Sequence, residues 1–236
     1  MKQQLYYGGR SLSDFGVFIS GEGTYGAPAR SITEEAIPGR NGTLVIDNGR
    51  FENLEVIYPA FILKDFAECI RHTRNWVNSR RGYVRIEDTY HPEEYRLGVY
   101  ASGLDVETHG HHNRHGKFSL AFNCKPQRFL RIGEEPVEFT SNGTVHNPTY
   151  FDAKPMIKAY GRGTLTVNGV QITLATGTPY TNIDCDLMDC SYGTQNENKF
   201  VTIDGYDFPV LSPGENQISL GSGITRIVIT PRWWII

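Results

Sequence analysis

The densest group of chemistry-bearing side chains is His109-Gly110-His111-His112-Asn113-Arg114-His115, which holds four of the chain's seven histidines. Neutral imidazole is a common ligand for Zn and Ni, so a metal site is the first chemistry to weigh. No cysteine or carboxylate nearby completes a familiar ligand spacing. The segment contains glycine and lies between two strand-like runs, so it reads as a solvated hairpin loop. A pH-sensitive contact is the other use for its imidazoles, and no metal is expected.

Asp184, Asp186 and Asp189 form a second group, suited on paper to calcium or to acid/base work. They lack the glycine and the terminal glutamate of an EF-hand loop. In an extended strand Asp184 and Asp186 share one face while Cys185 and Leu187 take the other. A solvated strand face is therefore expected. Glu93-Glu94 and Glu134-Glu135 point opposite ways if extended, which is wrong for a glycosidase pair. Gly161-Arg162-Gly163 and Gly221-Ser222-Gly223 read as turns, because neither has the strand–GxGxxG–helix context of a phosphate loop. No G-x-S-x-G nucleophile elbow is present.

The four cysteines, Cys69, Cys124, Cys185 and Cys190, fit no CxxC zinc or redox pattern. Free buried thiols are expected, with a Cys185–Cys190 bridge as the alternative. Asn41-Gly42-Thr43 and Asn142-Gly143-Thr144 match glycosylation acceptors but read as turns. No catalytic, cofactor-binding or metal-binding residue is assigned, and an enzyme is not expected.

The elements that would carry these residues are mostly strands. Of 236 residues, 39% are hydrophobic and 21% charged, enough apolar material for a packed core. The 25 glycines fall between short β-type runs and imply many turns. Net charge is −3, so no basic excess marks a nucleic-acid binder. The charge is uneven: residues 1–131 carry a net +2 and residues 132–236 a net −5. No secretion signal is expected at Met1–Arg10, and no run approaches the ~20 apolar residues of a membrane helix.

One helix is expected, with Leu63, Phe66, Ala67, Ile70 and Val77 on its apolar face. Arg80 and Arg81 suit its C-terminal end and Gly82 its stop, while Trp76 falls off that face. Thr43–Phe51 reads as a strand reaching a turn at Asn48-Gly49. Gly21–Gly42 is glycine-rich and polar and reads as mobile. The best hairpin is 165–172, where Asn168-Gly169 fills a two-residue loop and pairs Val167 with Val170 and Leu165 with Ile172. Further strands are expected at 181–187, 199–203, 216–220 and 224–230, a spacing that suggests a β-sandwich. A connector is placed at Lys125–Val137, giving domains 1–131 and 132–236.

Several segments, taken in order, resemble the distal tail protein (Dit) family of siphophages and prophages. Ile37-Pro38-Gly39-Arg40-Asn41-Gly42-Thr43-Leu44 is similar to its "PGR-(D/N)-G-T" segment, and Arg50-Phe51-Glu52-Asn53 to the "R-Y-x-N" that follows. His91-Pro92-Glu93-Glu94-Tyr95-Arg96 resembles its "D-P-x-Y-Y-R" region, with His91 in place of Asp. Phe122-Asn123-Cys124-Lys125-Pro126-Gln127-Arg128-Phe129 resembles the "F-x-C-K-P" close of its first domain. Asn147-Pro148 and Ala153-Lys154-Pro155 resemble the entry to its second.

The resemblance implies a mainly β chain. Residues 1–131 would be a β-sandwich-like, ring-forming tail-hub domain with one α-helix, and residues 132–236 a galectin-like β-sandwich. It also implies a hexameric ring at the virion tail tip, made in the host bacterial cytoplasm. The ring would join the tail tube protein to a tail-tip protein or tail-associated lysin and act as a hub for host adsorption. Receptor-binding proteins are further implied partners, and DNA would pass only transiently through the channel. No cofactor and no membrane insertion are expected. The competing reading is a carbohydrate-binding module contacting the host cell wall, with Trp233 and Trp234 as candidate stacking rings. Packing of a terminal strand into the core explains those rings equally well and is the expected outcome.

Overall fold

The structure is a computed structural model that describes residues 3–21, 23–104, 106–109, 115–175, 177–205 and 207–236. The chain is mainly β, with one α-helix among the described residues. It divides into two compact units, Met1–Arg128 with Ile236, and Phe129–Ile235.

The first unit begins with strands β1 (Leu5–Tyr7), β2 (Arg10–Ser11), β3 (Val17–Ile19), β4 (Arg30–Ala36), β5 (Thr43–Phe51) and β6 (Leu54–Ile62). Helix α1 (Phe66–Ser79) follows, then β7 (Val84–Asp88), β8 (Glu94–Tyr100), β9 (Val106–His109) and β10 (His115–Leu130). The main sheet runs β2-β1-β7-β8-β10-β6-β3, and β9 also pairs with β10. Burial alternates along β8 and β10, the period-2 signature of a sheet with one face in the core. Phe118, Leu120 and Phe122 all point inward. Phe122 sits among aromatic rings, with centroids 5.2 Å from Tyr7, 5.6 Å from Tyr100 and 6.0 Å from Tyr58. Burying an aliphatic or aromatic side chain of this kind stabilises the fold by about 1.5–3 kcal/mol each.

The helix differs from its sequence-based face. Leu63 and Ala67 are exposed, and Leu63 precedes the first turn. The buried stripe is Phe66, Thr73 and Val77, flanked by the partly buried Cys69, Ile70 and Trp76. Trp76 therefore packs toward the core, and its Nε1–H donates to the Tyr7 carbonyl at 3.2 Å. Arg80 covers its other side, with the guanidinium 3.7 Å from the ring centroid. A hydrogen-bonding indole on a core face is invisible to a periodicity count that treats Trp and Thr as off-pattern.

Strand β10 runs straight through Lys125 and Pro126, where the sequence suggested a connector. The division between units falls at Arg128/Phe129, and a short 3₁₀ turn, Arg131–Glu134, follows the strand.

The second unit is a two-layer sandwich. It contains β11 (Val137–Phe139), β12 (Gly143–Asn147), β13 (Met156–Gly161), β14 (Gly163–Val167), β15 (Val170–Leu174) and β16 (Thr181–Asp184). It continues with β17 (Asp189–Tyr192), β18 (Gln195–Asn196), β19 (Val201–Ile203), β20 (Gly214–Leu220), β21 (Ile224–Thr230) and β22 (Trp234–Ile235). One sheet is ordered β11-β21-β13-β16-β17-β18 and the other β12-β20-β14-β15-β19. Ile157, Ile183 and Ile227 from the first meet Leu165, Ile172 and Ile218 from the second in one core. The hairpin pairs Val167 with Val170 and Leu165 with Ile172, and Asn168 and Gly169 both have positive φ, as its sequence predicts. Trp233 is 4% exposed and belongs to this core, while Trp234 stacks on Phe151 at 4.4 Å.

Candidate interaction surface

Strands β4 and β5 form a two-stranded antiparallel ribbon that pairs with no third strand among the described residues. Its root is fixed by the Glu52 N–H donating to the Ala29 carbonyl at 2.8 Å. Arg30 adds a 2.8 Å ion pair to Asp47 and stacks on Phe51 at 4.9 Å. Asn48-Gly49, read from sequence as a turn, lies inside β5. The register shifts there, so that Arg30 faces Phe51 but Ile32 faces Asp47. The chain absorbs the extra residues as a bulge, with Gly49 at φ 69°. The Gly49 N–H and then Arg30 bond the Asp47 carboxylate and hold its carboxyl below the ordinary value.

The ribbon carries more apolar surface than a free hairpin can use. Val45 is 55% exposed, Leu44 47%, Ile46 44% and Ile32 44%. In register, Leu44 and Ile46 share one face with Thr33 and Glu35, and Val45 shares the other with Ile32 and Glu34. Both faces thus present a β-branched or leucine side chain beside a glutamate. An isolated two-stranded hairpin is marginal in water, and two open strand edges are pairing templates. The segment 37–44 that resembles the "PGR-(D/N)-G-T" motif forms the tip. Sequence reading found β5 but missed β4, because Ser31 to Glu35 is polar apart from Ile32 and only pairing with β5 makes it a strand.

The other sequence-derived candidates are dispersed. Of the histidine cluster, His115 pairs with His109 across β10 and β9, while Gly110 to Arg114 lie outside the described residues. Asp184 ends β16, so Asp186 and Leu187 are in a turn and the shared-face reading fails: Cys185 is buried and Leu187 is 72% exposed. Asp184 accepts from the Asp186 and Leu187 amides and from both Nη atoms of Arg232. Asp189 accepts from the side-chain amides of Asn196 and Asn198. The Asp184 and Asp189 carboxylates therefore have different partners, and that of Asp186 lies 3.8 Å from Lys154 Nζ. The four cysteines are unpaired; Cys124, Cys185 and Cys190 are buried, and burial pushes their thiols up to about 11, 12 and 12. Among the described residues no group of three or more metal-ligating side chains is gathered. Among them, too, no helix is long and apolar enough to cross a membrane.

No family model matches the chain, and no curated protein does. Solved structures do match, and the likeness is one of fold. The chain is similar to the Dit protein of phage SPP1, described as a paradigm of the hub adsorption apparatus in phages infecting Gram-positive hosts. The TM-score is 0.73, over 100% of both chains at 15% identity. It is also similar to the phage P2 baseplate in its activated conformation with Ca, with TM-score 0.56, 10% identity and 97% of each chain covered. The strontium form gives TM-score 0.51 at 12% identity over 96% of this chain and 97% of that one. The chain thus has the Dit fold along its whole length.

Proposed function

We propose that this protein is a distal tail hub of a long-tailed phage or prophage. The observation that carries this reading is the end-to-end fold match to SPP1 Dit, which spans both units. Residues 1–131 close a hexameric ring by head-to-tail contacts, and residues 132–236 form a sandwich attached to it. The exposed β4–β5 ribbon supplies a neighbouring copy with open strand edges and the apolar residues Leu44, Val45 and Ile46. The ring joins the tail tube protein to a tail-tip protein or tail-associated lysin, with receptor-binding proteins as further partners. DNA crosses the channel without lasting contact, in keeping with a net charge of −3. The role is mechanical and needs no cofactor or catalytic residue.

The carbohydrate-binding alternative has less support. Trp233 is buried and Trp234 has Phe151 stacked on one face, so the two rings do not together form an open platform for a sugar. Gold-labelled antibody against the second unit should decorate the distal end of tails in induced lysates. Label confined to free protein, or found on heads, would refute the assignment.

A further inference from the structure

The chain contains four Asn-Gly steps, at Asn41, Asn48, Asn142 and Asn168. Such a step is the most open to attack of a main-chain nitrogen on the asparagine side chain. Glycine has no Cβ to shield its own nitrogen, and its backbone turns freely. The fold treats the four steps differently.

Three are held. Asn168 Nδ2 donates to Asn216 Oδ1 at 2.6 Å and to the Val210 carbonyl at 3.1 Å, and its Oδ1 accepts from the Gln217 N–H at 2.9 Å. Asn142 Oδ1 accepts from the Leu220 N–H at 2.8 Å, and Gly143 lies in β12 opposite Ile218. Asn48 Nδ2 donates to the Ser31 and Thr33 hydroxyls, both at 3.3 Å. The nitrogen that would attack Asn48 is that of Gly49, and its N–H is engaged by Asp47 Oδ1 at 2.8 Å.

Asn41 is not held. It is exposed at the ribbon tip between β4 and β5, and its side chain bonds no other described residue. Gly42 has φ 84°, and a Cβ built there would meet nothing within 4 Å, so the side chain has room to turn back. None of the described residues accepts from the Gly42 N–H. We propose that Asn41 is a site of spontaneous deamidation and that the folded chain reacts there ahead of its other three Asn-Gly steps.

The Gly42 nitrogen loses its proton to hydroxide and attacks the Asn41 side-chain carbonyl carbon. A new N–C bond closes a cyclic imide, and the bond to the side-chain nitrogen breaks. That nitrogen takes a proton from water and leaves as ammonia. Water then opens the imide at either carbonyl, giving aspartate or isoaspartate. One water is consumed and one ammonia released, with no oxidant or reductant. Because the attacking nitrogen must be deprotonated, the reaction quickens as pH rises. Either product places a carboxylate on the tip, and isoaspartate also lengthens the main chain there by one carbon.

The test incubates the purified full-length protein at mildly alkaline pH and digests it under acidic conditions. Peptide mass spectrometry then reads amide and acid at all four positions, and electron-transfer fragmentation separates aspartate from isoaspartate. When half of Asn41 has converted, Asn48, Asn142 and Asn168 should remain mainly amides. Conversion of Asn41 no faster than the other three overturns the proposal. In urea the four should converge, since the fold no longer holds three of them. A preference for Asn41 that survives unfolding would belong to local sequence and would also overturn the structural argument.

The chemistry stands apart from the hub reading, but its consequence rests on it. If the ribbon tip lies at the contact between copies, aged natural protein should lose ring formation while aged Asn41→Gln keeps it. Converted protein that still forms rings would remove the tip from the assembly contact and leave the modification standing.

Discussion

The Asp184 carboxylate takes both arms of the Arg232 guanidinium, Nη1 at 2.7 Å and Nη2 at 2.9 Å, across 48 residues of sequence. The pair ties the end of β16 to the segment entering β22. Arg232 has φ 62°, a left-handed conformation that costs a non-glycine residue about 1–2 kcal/mol. The bidentate bond, and the Arg232 N–H donating to the Gly133 carbonyl at 2.7 Å, hold it there.

Burial alone would raise the Asp184 pKa, but the Arg232 hydrogen bonds, the Leu187 and Asp186 amides and the guanidinium charge outweigh it and hold the carboxyl low. A carboxyl lowered in the folded state adds stability that is complete above its unfolded value, about 4, and disappears as pH falls through its folded value. Asp184→Ala should therefore destabilise the protein at pH 7 by roughly 2–3 kcal/mol, reduced from the fully buried case because Arg232 is 30% exposed. The gap between variant and natural protein should shrink when chemical denaturation is repeated between pH 4 and 2. A gap that persists unchanged across that range would mean the pair is not what holds this corner.

Gly133 is buried where the chain passes Trp233, and a Cβ there would collide with the Trp233 backbone nitrogen. Backbone cannot step aside as a side-chain tip can. Gly133→Ala should cost about 1–3 kcal/mol or more. A methyl added at Gly177 would meet nothing within 4 Å, so that position should accept alanine with almost no change. Equal midpoints for the two variants would contradict this packing.

The contrast between local and distant signals explains what the sequence made legible. The 165–172 hairpin is encoded by two turn residues and four neighbours, so it could be read directly. Asn48-Gly49 carries the same dipeptide, yet the pairing of β4 with β5 absorbs it as a bulge. Asp184 with Arg232, and Glu94 with Arg128, depend on strands far apart in sequence. Their partners follow from sheet topology, which no local period reports. The fold class and the family resemblance were legible; the ribbon and the two arginine sites needed the assembled strands.

The second unit has its own core, and Trp233 belongs to it. The Leu130 N–H donates to the Trp233 carbonyl at 2.9 Å, so an independent piece should begin before Leu130 rather than at residue 132. Residues 129–236 should express as a soluble monomer with a single cooperative unfolding transition. Trp233→Ala in that piece should cost about 3–5 kcal/mol. A disordered fragment, seen by poor amide dispersion in NMR, would show that the two units share one folding unit.

The ribbon is the surface on which the hub reading turns. Leu44→Lys/Ile46→Lys changes only exposed positions, so monomer stability should move by less than about 0.5 kcal/mol per site. Assembly should nevertheless be lost. The most direct measurement is electron cryomicroscopy of the tail tip, or of rings formed by the purified protein. The account predicts six copies related by a closed rotation, with the β4–β5 ribbon of each lying against the next, and no ring from the double-lysine variant. A solitary subunit, threefold or fivefold symmetry at this position, or a ring whose ribbons touch nothing would contradict it.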